Sequence, residues 1–510
     1  MIVSLVSKMI GGLQPIPRHI AIDLHTLLCM LYVNFTSIRT TSNLYVLLFS
    51  FGFLLFTCGP TGRWSISLPM IPFIVIQLLR RIPLFSRFGW SRGLLGFLGF
   101  SFVVLAAVLC ILLPAVQIPS PDGPYRVGIR EFHLPVDFSD DNTTCTSHSE
   151  LPVKLFFPTL DPPGQYPYLN PSLADEYCRK MMQFGAPPPL QSHGWMLHHW
   201  KLASIPAKPN ATLLPLDRRL PIVVFSHGLG GTADVYSYQT MALASQGYVV
   251  LVLTHQDRSA PVVALSNGTE LHYDFELAKL LLEEKHLDYV KERRRRTDHR
   301  VQEFIAAVEA IHHMDQHDIP GLGISFRGRL SKSETFFMGH SFGGATALTA
   351  GKRRPDLVTA VVAHEPAVDW MPDDARHSLL SPTLLQDFDH SWHGGTGGYE
   401  GFVPAGDEGS IHEKDMLILF SQEWRDKKWA GSDALEEMYA RKRLGTDSGI
   451  SACKSIPDIS HNEFSDTCLM TPVWVGRATG ITGKRNPVET AKDIEHMTKV
   501  FLEAVRQRSK

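Results

Sequence analysis

The stretch Gly339-His340-Ser341-Phe342-Gly343 constrains this chain more than any other. It fits G-x-S-x-G, and its neighbours give the pattern meaning. Thr335 to Met338 is largely apolar and β-prone, and Gly344 to Ala350 suits a helix. A serine between such segments sits on a sharp strand-to-helix turn, where the flanking glycines let neighbouring backbone pass closely. The following helix points its free N–H groups and positive dipole end at the serine.

A serine hydroxyl is a weak nucleophile. It needs a base, the base needs an orienting acid, and the oxyanion that forms needs fixed N–H donors. The run Leu220 to Phe225, closed by Ser226-His227-Gly228-Leu229-Gly230-Gly231, reads as a buried parallel strand ending in an oxyanion loop. The expected donors are the backbone N–H groups of Leu229 and Phe342. His461 is the expected base, in a late loop Ile459 to Asp466; His412 precedes a strand and suits the role less. Three carboxylates keep the chain order serine, acid, histidine: Glu365 first, then Asp369, then Glu423. No H-E-x-x-H or tight His/Cys spacing points to a metal, so none is expected.

The rest of the soluble region alternates strands and helices. Val127–Phe132 and Val153–Phe157 open it as a hairpin, and Tyr248–Thr254, Leu357–Ala363 and Met416–Phe420 read as buried strands. Tyr236–Ser245, Phe275–Met314 and Pro487–Gln507 read as helices, giving an α/β fold with a mainly parallel sheet. Pro162–Pro215 has little pattern and is expected to wrap the surface or border a substrate entrance. The Arg293–Arg296 run is expected on a solvated helix face, and His255–Ser259 is expected to hold loops around the site. His312, His313 and His496 are expected to be structural.

Apolar residues crowd the first 118 positions, so residues 1–118 are expected to form a membrane region and 119–510 the catalytic domain. Leu44–Cys58, Ile66–Leu79 and Gly93–Val116 are three candidate spans. Ile20–Ile38 is a fourth, interrupted by Asp23 and His25. Arg80, Arg81, Arg87 and Arg92 before the last span predict a cytosolic loop, which places the catalytic domain on the lumenal or outer side. Sequons at Asn142, Asn210 and Asn267 agree with that side. Cys145, Cys178, Cys453 and Cys468 could form two disulfides there or remain free thiols. With 49 basic and 51 acidic residues, no charge excess suggests nucleic acid, and no obligate protein partner is evident.

Taken together, these residues resemble the platelet-activating factor acetylhydrolase family, or group VII phospholipase A2, from about Pro124 to the last helix. Gly123 to Gly128, Val224 to Gly230, Asp257-Arg258-Ser259-Ala260, Gly339 to Thr346, and His461 with Phe464-Ser465-Asp466 carry the likeness. The family's acid follows the strand after the elbow helix, which favours Glu365. The family usually has Asp, a small residue and Trp-Met there; here Glu365-Pro366-Ala367-Val368 precedes Asp369-Trp370-Met371, which keeps Asp369 open. The resemblance implies an α/β-hydrolase fold and calcium-independent hydrolysis of short or oxidised sn-2 acyl esters of phospholipids, without cofactor. A general carboxylesterase or polyester hydrolase on the same machinery is the alternative, and a non-catalytic membrane scaffold a third reading. The multi-span leader is outside the family's pattern.

Overall fold

The computed structural model describes residues 18–35, 63–80, 89–112, 118–136, 150–379, 414–440 and 449–508, with short pieces near 45–52 and at 82. Positions 216–217, 284, 428, 430 and 431 within these ranges are excepted. The chain divides into two compact units, Met1–Gln117 with Pro167–Ala203, and Ile118–Tyr166 with Ser204–Lys510.

In the first unit, α1 (Arg18–Phe35), α2 (Trp64–Leu79) and α3 (Gly89–Leu112) bury Met30, Val33, Met70, Phe73, Val103 and Ala106 among themselves. Their outward faces are also apolar, with Leu28, Ile71, Phe97 and Ile111 exposed. Only one described segment, Gly93–Leu112, is long and apolar enough to cross a membrane. Ile22–Asn34 and Trp64–Leu79 are shorter apolar helices, so the expectation of several full spans is not met by length. Leu44–Cys58 lies mostly outside the described residues, as do Arg81 and Arg87 of the basic loop. The interruption expected from Asp23 has a partner, because its carboxylate is ion-paired with Arg63 in the interior. Within Pro162–Pro215, where the sequence shows little pattern, the part Pro167–Ala203 contains α4 (Ala174–Gly185) and a 3-10 stretch Gly194–Leu202. It joins the first unit through Trp64, whose indole N–H donates to the Met196 carbonyl at 3.3 Å and packs edge-on to Trp195.

The second unit is built on a nine-stranded sheet. Its strands are β1 (Arg126–Pro135), β2 (Glu150–Thr159), β3 (Ala207–Pro209), β4 (Leu220–Ser226), β5 (Val249–Leu253), β6 (Leu330–His340), β7 (Ala360–His364), β8 (Asp415–Ser421) and β9 (Ala452–Ile456). The order is β9-β8-β7-β6-β4-β5-β2-β1-β3. Every pairing is parallel except the two made by β2. Strands β4, β5, β7 and β8 are buried along their whole length, as continuous apolar runs in a doubly covered sheet should be.

Helices α5 (Ser237–Ser245), α6 (Phe275–Leu282), α7 (His286–Met314), α8 (Phe342–Arg353) and α9 (Pro487–Arg508) complete the layers. Here α7 and α8 pack together on one face, and α5 and α9 together on the other. The helix expected over Phe275–Met314 is therefore two helices with a break after Leu282. This is an α/β-hydrolase sheet. After β4 the chain goes to β5 on one side, then returns to β6 on the other. That reversal opens a crevice at the carboxyl ends of β4 and β6, where such sheets bind ligands.

Candidate active site

Ser341 follows β6 at that crevice with φ 55° and ψ −118°, a region costly for any residue with a side chain. The surroundings enforce it. A Cβ on Gly339 would lie 2.1 Å from the Gly343 carbonyl oxygen, and one on Gly343 would lie 2.0 Å from that of Ser226. Neither position admits a side chain, so strand β4 and the elbow meet backbone to backbone.

The two expected oxyanion donors are each oriented through the carbonyl of their own peptide unit. The Gly228 carbonyl accepts from His227 Nδ1 at 2.7 Å and from the Gly231 amide at 3.2 Å. Because a peptide is planar, this fixes the Leu229 N–H pointing the opposite way. The Ser341 carbonyl accepts from the Ala345 and Ala367 amides, both at 3.1 Å, which fixes Phe342 N–H likewise. Among the described residues, no protein acceptor takes either N–H.

Glu365 leaves β7 with φ 46°, and its side chain is fully buried. Its Oε2 accepts from His461 Nδ1, and its Oε1 accepts from the Ser421 amide at 2.5 Å. Burial alone would raise its pKa, but the adjacent His461 and His340 overcome that and hold it at about 2. The carboxylate is therefore charged and positioned to stabilise an imidazolium. The His461 ring stacks on Trp424 at 4.5 Å, lies 4.6 Å from the His340 ring, and stays about a quarter exposed. Its loop is fixed as well, because Ser460 and Glu463 form a capping box at the turn His461–Phe464.

Of the three carboxylates considered, the structure brings Glu365 to the imidazole. Glu423 instead accepts from the His461 backbone amide at 3.1 Å. Asp369 sits in a 3-10 turn, its carbonyl held by Arg294, and among the described residues the carboxylate bonded to His461 Nδ1 is that of Glu365. His412 lies outside the described residues. No hydrogen bond joins Ser341 Oγ to His461 here. Their proximity follows from the His340–His461 ring contact and from the Ser341 amide, which donates to the His364 carbonyl at 2.8 Å beside Glu365. Such contacts commonly tighten only when substrate binds.

His340, Glu365 and His461 place ligand-type atoms within 4.8 Å of one another. Protons occupy that space. His461 Nδ1–H donates to Glu365, and His340 Nδ1 is hydrogen-bonded with the Tyr236 hydroxyl at 2.9 Å. This is a hydrogen-bonded acid rather than a set of free lone pairs.

Behind the oxyanion loop lies a buried network whose interlocking no single segment reveals. Arg300 donates to Asp257 at 2.9 Å and to the His227 carbonyl at 2.7 Å, and its guanidinium lies 4.0 Å from the Phe342 ring centre. His255 bridges Ser226 Oγ at 2.7 Å and Glu303 at 2.6 Å. The segment His255–Ser259 thus holds loops around the site. The Arg293–Arg296 run differs from expectation, since Arg293 and Arg296 are buried. Arg293 lies against Tyr289 and Trp370, and Arg296 pairs with Asp274. The Tyr289 ring one turn earlier on the same helix, and Trp370 and Asp274 from elsewhere in the chain, make this burial tolerable. His312 is structural, its Nε2 lying 2.8 Å from Thr335 Oγ1. Cys178, Cys453 and Cys468 are free thiols, and Cys145 lies outside the described residues.

Residues 110–385 match the family described as platelet-activating factor acetylhydrolase, isoform II. A platelet-activating factor acetylhydrolase from Cavia porcellus is 27% identical over 45% of this chain and 51% of its own length. One from Gallus gallus is 30% identical over 58% of this chain and 64% of its own. One from Canis lupus familiaris is 25% identical over 46% and 52%. The chain thus spans between half and two thirds of the curated relatives it matches.

Proposed function

The chain belongs to the platelet-activating factor acetylhydrolase isoform II family, and on that premise we propose that it is a serine esterase cleaving short or oxidised sn-2 acyl chains from phospholipids without calcium. The observation that carries this reading is the charged Glu365 bonded to His461 beside the strained Ser341 elbow, with two oriented N–H groups unused.

Ser341 Oγ attacks the ester carbonyl while His461 Nε2 takes its proton. Glu365 stabilises the resulting imidazolium, and Leu229 N–H and Phe342 N–H receive the oxyanion. Collapse transfers the proton to the departing lysophospholipid oxygen and leaves an acyl-Ser341 ester. Water, deprotonated by His461, then releases the short acid. Each step uses only side chains and backbone dipoles, which is why calcium is not required.

The first unit extends this reading to place. The apolar outer faces of α1–α3 and the 20-residue segment Gly93–Leu112 favour a membrane-embedded leader, in which Gly93–Leu112 alone among the described helices is long enough to span. The catalytic unit would then be lumenal or extracellular, and the sequon residues Asn210 and Asn267 are both exposed. Such an anchor would hold the enzyme beside its lipid substrate.

The test is hydrolysis of an sn-2-acetyl phospholipid, with and without a calcium chelator, by the full chain and Ser341→Ala, beside a simple ester of the same acid. Turnover that survives chelation, prefers the phospholipid and disappears in Ser341→Ala is expected. Equal turnover of both esters would favour the general carboxylesterase, and chelator-sensitive turnover would overturn the mechanism.

A further inference from the structure

The oxyanion loop and the elbow arrive from different strands, and one side chain touches both. The Tyr236 hydroxyl accepts from the Gly228 amide at 2.9 Å and lies 2.9 Å from His340 Nδ1. An amide can only donate, so the phenol oxygen is the acceptor there, and its own proton is available to Nδ1. His340 Nε2 lies 3.9 Å from Glu365 Oε2, too far for a hydrogen bond. Both residues are buried, and burial disfavours the charged form of each: the Tyr236 pKa is raised and the His340 pKa is lowered to about 4. Gly228 adjoins the Leu229 donor, and His340 adjoins Ser341. The hydrogen-bonded line Gly228–Tyr236–His340 therefore runs from one half of the oxyanion hole to the residue before the nucleophile.

We propose that the Tyr236 hydroxyl and the His340 imidazole form a strut that fixes the oxyanion loop against the elbow, making Tyr236 a positioning residue for the transition state. This rests on Ser341 being the nucleophile. A donor displaced by a fraction of an ångström still admits substrate but binds the developing oxyanion less well, so the loss falls on kcat rather than KM. The phenyl ring of Tyr236 packs against Phe225 at 4.8 Å, and Tyr236→Phe preserves that packing while removing only the hydroxyl.

The experiment compares the full chain, Tyr236→Phe, His340→Gln, their double variant and Tyr238→Phe. In Tyr238 the lost hydroxyl is also buried but contacts Glu495 at 3.3 Å, away from the site. Fluorophosphonate labelling of the unmutated chain at Ser341 first checks the nucleophile separately. The expected result is that Tyr236→Phe lowers kcat on an sn-2-acetyl phospholipid by about 10- to 100-fold with KM changed less than about threefold. The double variant should lose little more than the worse single variant, and Tyr238→Phe should match the unmutated chain. A labelled chain whose Tyr236→Phe variant keeps kcat within about twofold would overturn the strut. So would a loss that Tyr238→Phe shares, or one explained by a smaller folded fraction in thermal melts.

Discussion

At the scale of single residues, each proposed role is tied to one contact, so the substitutions are not interchangeable. Glu365 is fully buried and makes the only carboxylate contact to His461 Nδ1 among the described residues. Glu365→Gln keeps the volume but cannot hold the imidazole in the productive tautomer. A fall in kcat of about 10³- to 10⁴-fold is expected from steady-state kinetics. Asp369→Asn should remain within about threefold of the unmutated chain, because the carboxylate bonded to the imidazole is that of Glu365. A larger loss in Asp369→Asn than in Glu365→Gln would reverse the assignment of the acid.

At the scale of elements, the loops after β4 and β5 are locked to α7 by Arg300, which donates to the His227 carbonyl and pairs with Asp257, both side chains of the pair being fully buried. Burial lowers the Arg300 pKa but leaves it charged, because an arginine starts far above neutrality. Burial would raise Asp257, yet the Arg300 guanidinium holds that carboxyl well below its ordinary value. Arg300→Met leaves an uncompensated buried carboxylate, and a loss of about 3–5 kcal/mol in denaturant unfolding is expected. An unchanged unfolding midpoint would contradict this.

The same elements explain what could be read in advance. Ser341, Leu229, Phe342 and His461 announce themselves through local pattern, because an elbow and a glycine-closed strand have chemistry written into consecutive residues. Glu365 could be favoured only by its place after β7. Tyr236, Arg300 and Glu303 gain meaning from partners far away in the chain, and nothing in their own segments marks them; His340 lies inside the motif, but its pairing with Tyr236 does not show there. A helix of arginines looks solvated in sequence, and what buries Arg293 is Trp370, brought in from far along the chain to the side where Tyr289 already lies.

At the scale of the whole molecule, buried neutral histidines set the response to acid. Burial lowers the pKa of His227 and His255, takes His340 to about 4, and takes His364 to about 3, against an ordinary 6.5. Below pH 6.5 the unfolded chain binds protons that the folded chain refuses, so stability falls as pH drops toward 4. Each such group contributes up to about 1.4 kcal/mol per pH unit in that window. Glu365 and Glu303, both held at about 2, add to the loss below their ordinary 4.5. Denaturant midpoints should therefore be lower at pH 5.5 than at 7.5, and a flat profile would contradict the neutral state assigned to these rings. For the leader, the full chain should resist alkaline carbonate extraction and carry endoglycosidase-sensitive sugar that Asn267→Gln reduces. Release by carbonate would count against membrane embedding, and an unglycosylated chain against the lumenal side.

The most direct measurement is the site and rate of fluorophosphonate modification, read by peptide mass spectrometry in the full chain and in His461→Ala. A single adduct on Ser341, forming at least about 10³-fold more slowly without His461, is predicted. An adduct elsewhere, or one on Ser341 whose rate ignores His461, would contradict the proposed chemistry.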